Sequence, residues 1–180
     1  MDAQQLRAVQ APLKAHYRAD PASAVITLRA DGELGAEQVT CSVVTGRTLV
    51  EAGLHPATGG DGSFACSGDM LLQALVACAG VTLLSVATNR GIPVSGHVRA
   101  EGDLDFRGTM GVDREATVGF KAIRLTFDLD TTASPEDLAA LVSTTERYCV
   151  VFQTLAQPAQ LTMSIASAPA PAPAQVGLAG

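Results

Sequence analysis

A chain of 180 residues, 47 % of them apolar, has the size of one domain and enough apolar side chains to bury a core. Its 18 acidic residues outweigh 12 basic ones for a net charge of −6, and no Lys/Arg stripe runs along it. That argues against nucleic acid as a partner, because phosphate binding draws its free energy from cations displacing counterions. The N-terminal MDAQQLRAVQAPLKAHYRAD lacks the apolar core of a secretory signal, so the expected location is cytoplasmic.

Leu6, Val9, Leu13 and Tyr17 recur at helical spacing, with Pro12 expected to interrupt them. This predicts a short helix or two half-helices, an N-terminal extension over residues 1–19. Turn residues at 20–23 lead into AVITLRA (24–30), a predicted strand closed by the hairpin-type pair Asp31-Gly32. QVTCSVV (38–44) alternates, placing Cys41 on one face with Val39 and Val43, a core position. The glycine-rich loop GLHPATGGDGSFACSG (53–68) contains no GxxxxGK[ST], and no lysine lies between Lys14 and Lys121, so it is no phosphate cradle. Cys66, inside it, reads as an incidental thiol.

A long helix is predicted from Asp69 to Arg90, with Ser67 as N-cap, Asp69 in the first turn and Gly91 as C-cap. It is apolar on nearly every side and is expected to be wrapped by the rest of the protein. A membrane span is the weaker reading, since Gln73, Thr82 and Ser85 interrupt the run and no second span exists. VRAEGDLDF (98–106) and AIRLTFDLD (122–130) alternate as half-buried antiparallel strands, with Ile123, Leu125, Phe127 and Leu129 inward. Ser134-Pro135-Glu136-Asp137 opens a second helix, whose face of Leu138, Leu141, Val142 and Thr145 is continued by Cys149 in the last turn. QLTMSIA (160–166) is a predicted last strand, and the Pro/Ala tail 167–180 has no apolar periodicity and is expected to be disordered. The order of elements, without βαβ alternation, makes residues 20–166 an α+β domain of antiparallel strands around two helices.

The cysteines at 41, 66, 78 and 149 show no CxxC pair or zinc-ligand spacing, and His16, His55 and His97 are scattered, so neither a metal nor a cofactor is expected. Cys78 shares a helix face with Leu71, Ala74, Val81, Thr82 and Ser85, and Cys149 ends the other helix's apolar face. Two such faces meeting in one core could bring the thiols together. A disulfide would need their Cα atoms within about 7 Å.

The stretch GG…SGDMLLQALVACAGVTLL (59–84), followed by TERYCVVFQTL (145–155), resembles the OsmC/Ohr superfamily of osmotically inducible and organic hydroperoxide resistance proteins. The resemblance implies an OsmC-like fold, a curved antiparallel sheet with long central helices in an intertwined homodimer. It also implies a thiol-dependent peroxidase for apolar organic hydroperoxides, with Cys78 the peroxidatic cysteine, Cys149 the resolving one and an external dithiol as reductant. Burial alone raises a thiol pKa, so such a cysteine needs a partner that favours its thiolate. In the peroxidase branches that partner is an arginine from the early strands, here Arg29 or Arg47, held by a glutamate. The glutamate's position is Gly68 in this chain and the nearest acid is Asp69; Val150 replaces the proline that commonly follows the second cysteine. These departures keep open an alternative, an OsmC-fold dimer that binds an apolar small molecule or senses redox state with little turnover.

Overall fold

The structure, a computed structural model, describes residues 2–24, 32–34, 40–45 and 48–165. The predicted strand at 25–30, Arg29, Arg47 and the Pro/Ala tail lie outside the described residues.

Helix α1 (Ala3–Ala19) runs unbroken through Pro12, correcting the expected interruption. Its start is a capping box: Asp2 Oδ1 accepts from the Gln5 amide at 2.8 Å, and Gln5 Oε1 accepts from the Asp2 amide at 3.0 Å. Pro12 removes one helical donor, and the turns on either side bridge the gap. The Arg7 guanidinium donates to the Asn89 carbonyl at 2.8 Å, tying α1 to the long helix described next.

Strands β1 (Gly32–Leu34), β2 (Thr40–Thr45) and β3 (Thr48–Gly53) pair antiparallel, and β4 (Ala65–Cys66) joins β3 in parallel. Gly32, expected in a turn, is a strand residue opposite Val43. Strand β3 was not foreseen from the sequence. It pairs along its whole length with β2, from Thr48 opposite Thr45 to Gly53 opposite Thr40, a tertiary choice that a short apolar run does not announce.

Helix α2 (Ser67–Arg90) begins at the residue expected to cap it; Cys66 holds the cap position with extended backbone and makes no side-chain cap bond. Its end is as expected, with Gly91 left-handed at φ 68° and its amide bonded to the Ala87 and Thr88 carbonyls. One stripe, Leu75, Ala79, Leu83 and Ala87, is buried, and α2 packs on α1 and on three later elements: strand β5 (Ser95–Asp103) and helices α4 (Pro135–Tyr148) and α5 (Val150–Ala156). The side away from that stripe is bare: Val81 is 71 % exposed and Leu84 52 %, and Leu71, near one end of the stripe, is 38 % exposed. The expectation that the helix is wrapped on all sides therefore fails among the described residues. By length and composition α2 could cross a membrane.

Strand β5 pairs antiparallel with β6 (Ala122–Asp130), Val98 facing Phe127 and Ala100 facing Leu125. Burial alternates along β6 with Ile123, Leu125, Phe127 and Leu129 inward, as the sequence pattern requires. The short helix α3 (Phe106–Thr109) lies in the connection between them. Among the described residues the strands form a mixed sheet of four and an antiparallel pair. At Gly96 the backbone is left-handed, φ +126°, and an added Cβ would stand 2.1 Å from the Asp128 carbonyl oxygen. Gly96→Ala is expected to destabilise the fold by at least ~2 kcal/mol, measured as a lowered urea midpoint at unchanged m-value.

The Ser134 hydroxyl caps α4, accepting from the Asp137 amide at 3.1 Å. Leu141 and Thr145 are buried on its inner face, whereas Val142 is 39 % exposed. The helix does not carry on through Cys149: that residue is extended (φ −74°, ψ 108°), ends α4 and precedes α5. Beyond α5 the chain forms no strand at 160–165, which corrects the predicted last strand. Leu161, Met163 and Ile165, alternating as a strand would, are 90, 99 and 94 % exposed.

Candidate active site

Leu75 and Ala79 of α2 and Cys149 form one buried cluster, and Cys78, Ala100, Ile123, Leu125, Phe127, Val151 and Phe152 pack against it. The fold thus brings together the two cysteines singled out from the sequence. Cys149 is 1 % exposed and Cys78 half-buried, and neither is in a disulfide. The break at Cys149 has a local cause. Its own amide still bonds to the Thr145 carbonyl at 2.9 Å, and its carbonyl accepts from Gln153 at 2.9 Å, so one helix stops and the next starts on the same residue. The first amides of α5 are left without intrahelical acceptors.

These amides divide the thiols electrostatically. Burial pushes the Cys78 thiol up, but hydrogen bonds from the Val151 amide, the Cys149 thiol, the Val150 amide and the Thr82 hydroxyl outweigh it and hold Cys78 below its ordinary value. Thr82 also donates to the Cys78 carbonyl at 2.7 Å, so its single proton serves the sulfur only by leaving that oxygen. Cys149 moves the other way: burial raises it, the Phe152 amide opposes, and its role as donor to Cys78 raises it further. Of the pair, Cys78 is the more readily ionised, accepting from the Cys149 thiol.

Beside Cys149 opens a cavity of ≈ 220 Å³, lined among others by Leu125, Phe127, Val142 and Phe152, with Glu146 its one charged lining residue. It suits an apolar group of modest size.

Asp69 stands elsewhere. It lies more than two turns from Cys78 along α2, about 13 Å at ~1.5 Å per residue, in a separate cavity of ≈ 360 Å³ with His55, Cys66, Asp103 and Phe120. Gly68 faces that cavity too: an added Cβ would meet Cys66 Sγ and Phe120 Cζ at 3.5 Å. A side chain at position 68 would start toward Cys66. Arg29 and Arg47 lie outside the described residues. The Val150 and Val151 amides, absent from the sequence-based set, had one signal: valine where a donor-less proline is common. Among the described residues no group of His, Cys, Asp and Glu is arranged to hold a metal ion.

Two small sheets, a long central helix and a dithiol set where that helix meets a broken one define an α+β protein with a half-buried cysteine pair. The chain belongs to the OsmC family, residues 60–164 matching the family model for OsmC-like protein. Among solved structures, an OsmC-like protein from Mycoplasma pneumoniae is similar with a TM-score of 0.62 at 15 % identity, over 74 % of this chain and 89 % of that one. An organic hydroperoxide resistance protein OsmC from Legionella pneumophila gives 0.54 at 17 % identity, over 73 % and 90 %. An OsmC-like protein of unknown function from Vibrio cholerae gives 0.54 at 12 % identity, over 72 % and 94 %. At these identities the likeness is one of fold. No curated protein sequence matches the chain.

Proposed function

We propose that the protein is a thiol-dependent peroxidase for apolar organic hydroperoxides, acting as a cytoplasmic homodimer. The observation that carries this is the asymmetry of the dithiol, a thiolate-prone Cys78 beside a protonated Cys149 at the edge of an apolar cavity. The Cys78 thiolate attacks the terminal peroxide oxygen; the S–O bond forms, the O–O bond breaks, and the alkoxide leaves with the Cys149 proton as the alcohol. The resulting Cys149 thiolate attacks the Cys78 sulfenic sulfur, forming the disulfide and expelling hydroxide, which solvent protonates. An external dithiol then reduces the disulfide, becoming a disulfide itself. Each apolar Å² of the substrate removed from water contributes about 25 cal/mol, which favours alkyl hydroperoxides over hydrogen peroxide.

The second subunit is argued from what one subunit leaves bare. Leu71, Val81 and Leu84 are exposed on α2, and Leu161, Met163 and Ile165 stand almost fully exposed among the described residues. Exposed apolar side chains in such number mark an interaction surface, and a second copy covers them isologously.

Stopped-flow mixing of the reduced protein with cumene hydroperoxide and with hydrogen peroxide, followed by peptide mass mapping, tests the reading. Expected are faster consumption of cumene hydroperoxide and a Cys78–Cys149 disulfide. A rate no greater than that of free cysteine would overturn it in favour of a binding role.

A further inference from the structure

Three helices, α1, α2 and α4, enclose a groove of ≈ 660 Å³. Arg7, Gln10 and Lys14 recur on α1 at steps of three and four and so share a face. Arg7 ties that face to α2 through the Asn89 carbonyl, while Gln10 and Lys14 line the groove. From α2 come Thr82, Val86 and Arg90, each four residues after the last, and from α4 Thr144 and Tyr148, also four apart. The groove shares no lining residue with the apolar cavity beside Cys149. Helix α1 lies outside residues 60–164, which match the family model, so this groove is no part of the family likeness.

Its charge is the reverse of the chain's. The protein carries a net −6, yet no Asp or Glu lines the groove, and Lys14 and Arg90 do. Among the described residues neither cation has a carboxylate partner; the ion pairs belong to Arg107 and Arg124, and Arg90 donates to the Thr144 hydroxyl at 3.2 Å. Arg147 adds a positive charge nearby, its guanidinium 5.6 Å from the centre of the Tyr148 ring. Thr82, Asn89 and Thr144 direct their side-chain donors to helix carbonyls. The Gln10 amide and the Ser85 and Tyr148 hydroxyls make no hydrogen bond among the described residues. Two cations and three uncommitted neutral donors thus line one groove.

We propose that this groove binds a small organic phosphate, a phosphomonoester carried on an apolar or aromatic body. A carboxylate brings one charge and two oxygens and leaves a cation unmatched. A phosphomonoester near neutral pH carries about −1.5 to −2 and three strongly accepting oxygens, which matches the cations in charge and the neutral donors in number. Val86 and the Tyr148 ring offer the body an apolar surface, and the volume falls within the roughly 300–1,000 Å³ of small-molecule sites. Recognition needs nothing from Val81, which lies both in the groove and in the surface proposed for the second subunit.

The probe is phenyl phosphate, titrated into the isotope-labelled full-length reduced protein and followed by amide chemical shifts, with affinities from calorimetry. Expected are saturable shifts at Gln10, Lys14, Ser85, Arg90 and Tyr148. Lys14→Gln and Arg90→Gln should each weaken binding about fivefold and the double variant about twentyfold, whereas Arg107→Gln, which removes an exposed cation elsewhere, leaves it unchanged. Affinity should fall as salt rises, since the charges are exposed, and as pH drops through about 6, where the phosphate takes up a proton. Absence of saturable shifts at these residues overturns the proposal, as does an equal loss in Arg107→Gln, which marks unspecific attraction. Phenylacetate bound as tightly as phenyl phosphate refutes the phosphate head, and inorganic phosphate bound as tightly refutes the organic body. The shift map is read on the wild type, so a variant that misfolds leaves the test intact.

Discussion

Cys78→Ser is expected to abolish consumption of cumene hydroperoxide, while Cys149→Ser yields one equivalent of cumyl alcohol and then stops. A serine hydroxyl placed among the same donors stays protonated, since its pKa lies far above that of a thiol, and it offers no soft nucleophile to the O–O bond. In Cys149→Ser the attack still occurs, because the Val150 and Val151 amides continue to face Cys78. The sulfenic acid then has no thiol to condense with and persists, trapped by dimedone at Cys78. Loss of the Cys149 donor also weakens the thiolate, so the burst is slower than in the wild type near neutral pH. In the wild type the rate rises with pH as Cys78 ionises, with a midpoint below the 9.0 of an unperturbed thiol. Rapid-quench measurement of alcohol against enzyme concentration decides the matter; sustained turnover by Cys78→Ser would move the chemistry to another residue.

Val81→Glu is expected to convert the protein from a dimer into a chain that sediments near 18.4 kDa at micromolar concentration. Val81 is the most exposed large apolar residue of α2, and the two-fold symmetry of the proposed dimer would place it in the interface twice. Burying a valine contributes about 1.5–3 kcal/mol, and a buried unpaired carboxylate costs several kcal/mol more. Doubled by symmetry, that exceeds what a micromolar dimer can lose, about 8 kcal/mol in all. The subunit core should survive, because Leu75, Ala79, Leu83 and Ala87 lie on the other side of the helix. Analytical ultracentrifugation reads the state; a dimer undisturbed by Val81→Glu would place the interface elsewhere.

How far the sequence carries is seen residue by residue. AIRLTFDLD was legible to its ends because a half-buried strand writes its burial with a period of two, and nothing in its surroundings contradicts that period. Ser134-Pro135 and Asn89-Arg90-Gly91 marked helix ends through local chemistry, an orphan amide to cap and a left-handed residue to supply. The same kind of reasoning failed at Ser67, where the helix starts a residue early with nothing capping it, and at Pro12, where one missing donor is too small a defect to break a helix capped at its start. QLTMSIA has a strand's alternation, yet its residues 160–165 form no strand. Alternation says which face would be buried; it does not provide the neighbour that buries it.

The sequence by itself determined the α+β class, the long apolar helix, the paired half-buried strands and the two cysteines worth pairing, because each rests on side chains a few residues apart. Only the tertiary structure decided what makes the cysteines unequal. Peptide amides are common to nearly every residue and leave no mark in a sequence. Which of them lack a helical partner, and which sulfur they face, follows from a helix breaking at Cys149 against α2. Tertiary packing likewise took Asp69 and the Gly68 position out of the thiol site and into a cavity of their own, since more than two turns of a rigid helix separate them from Cys78, however apolar the residues between.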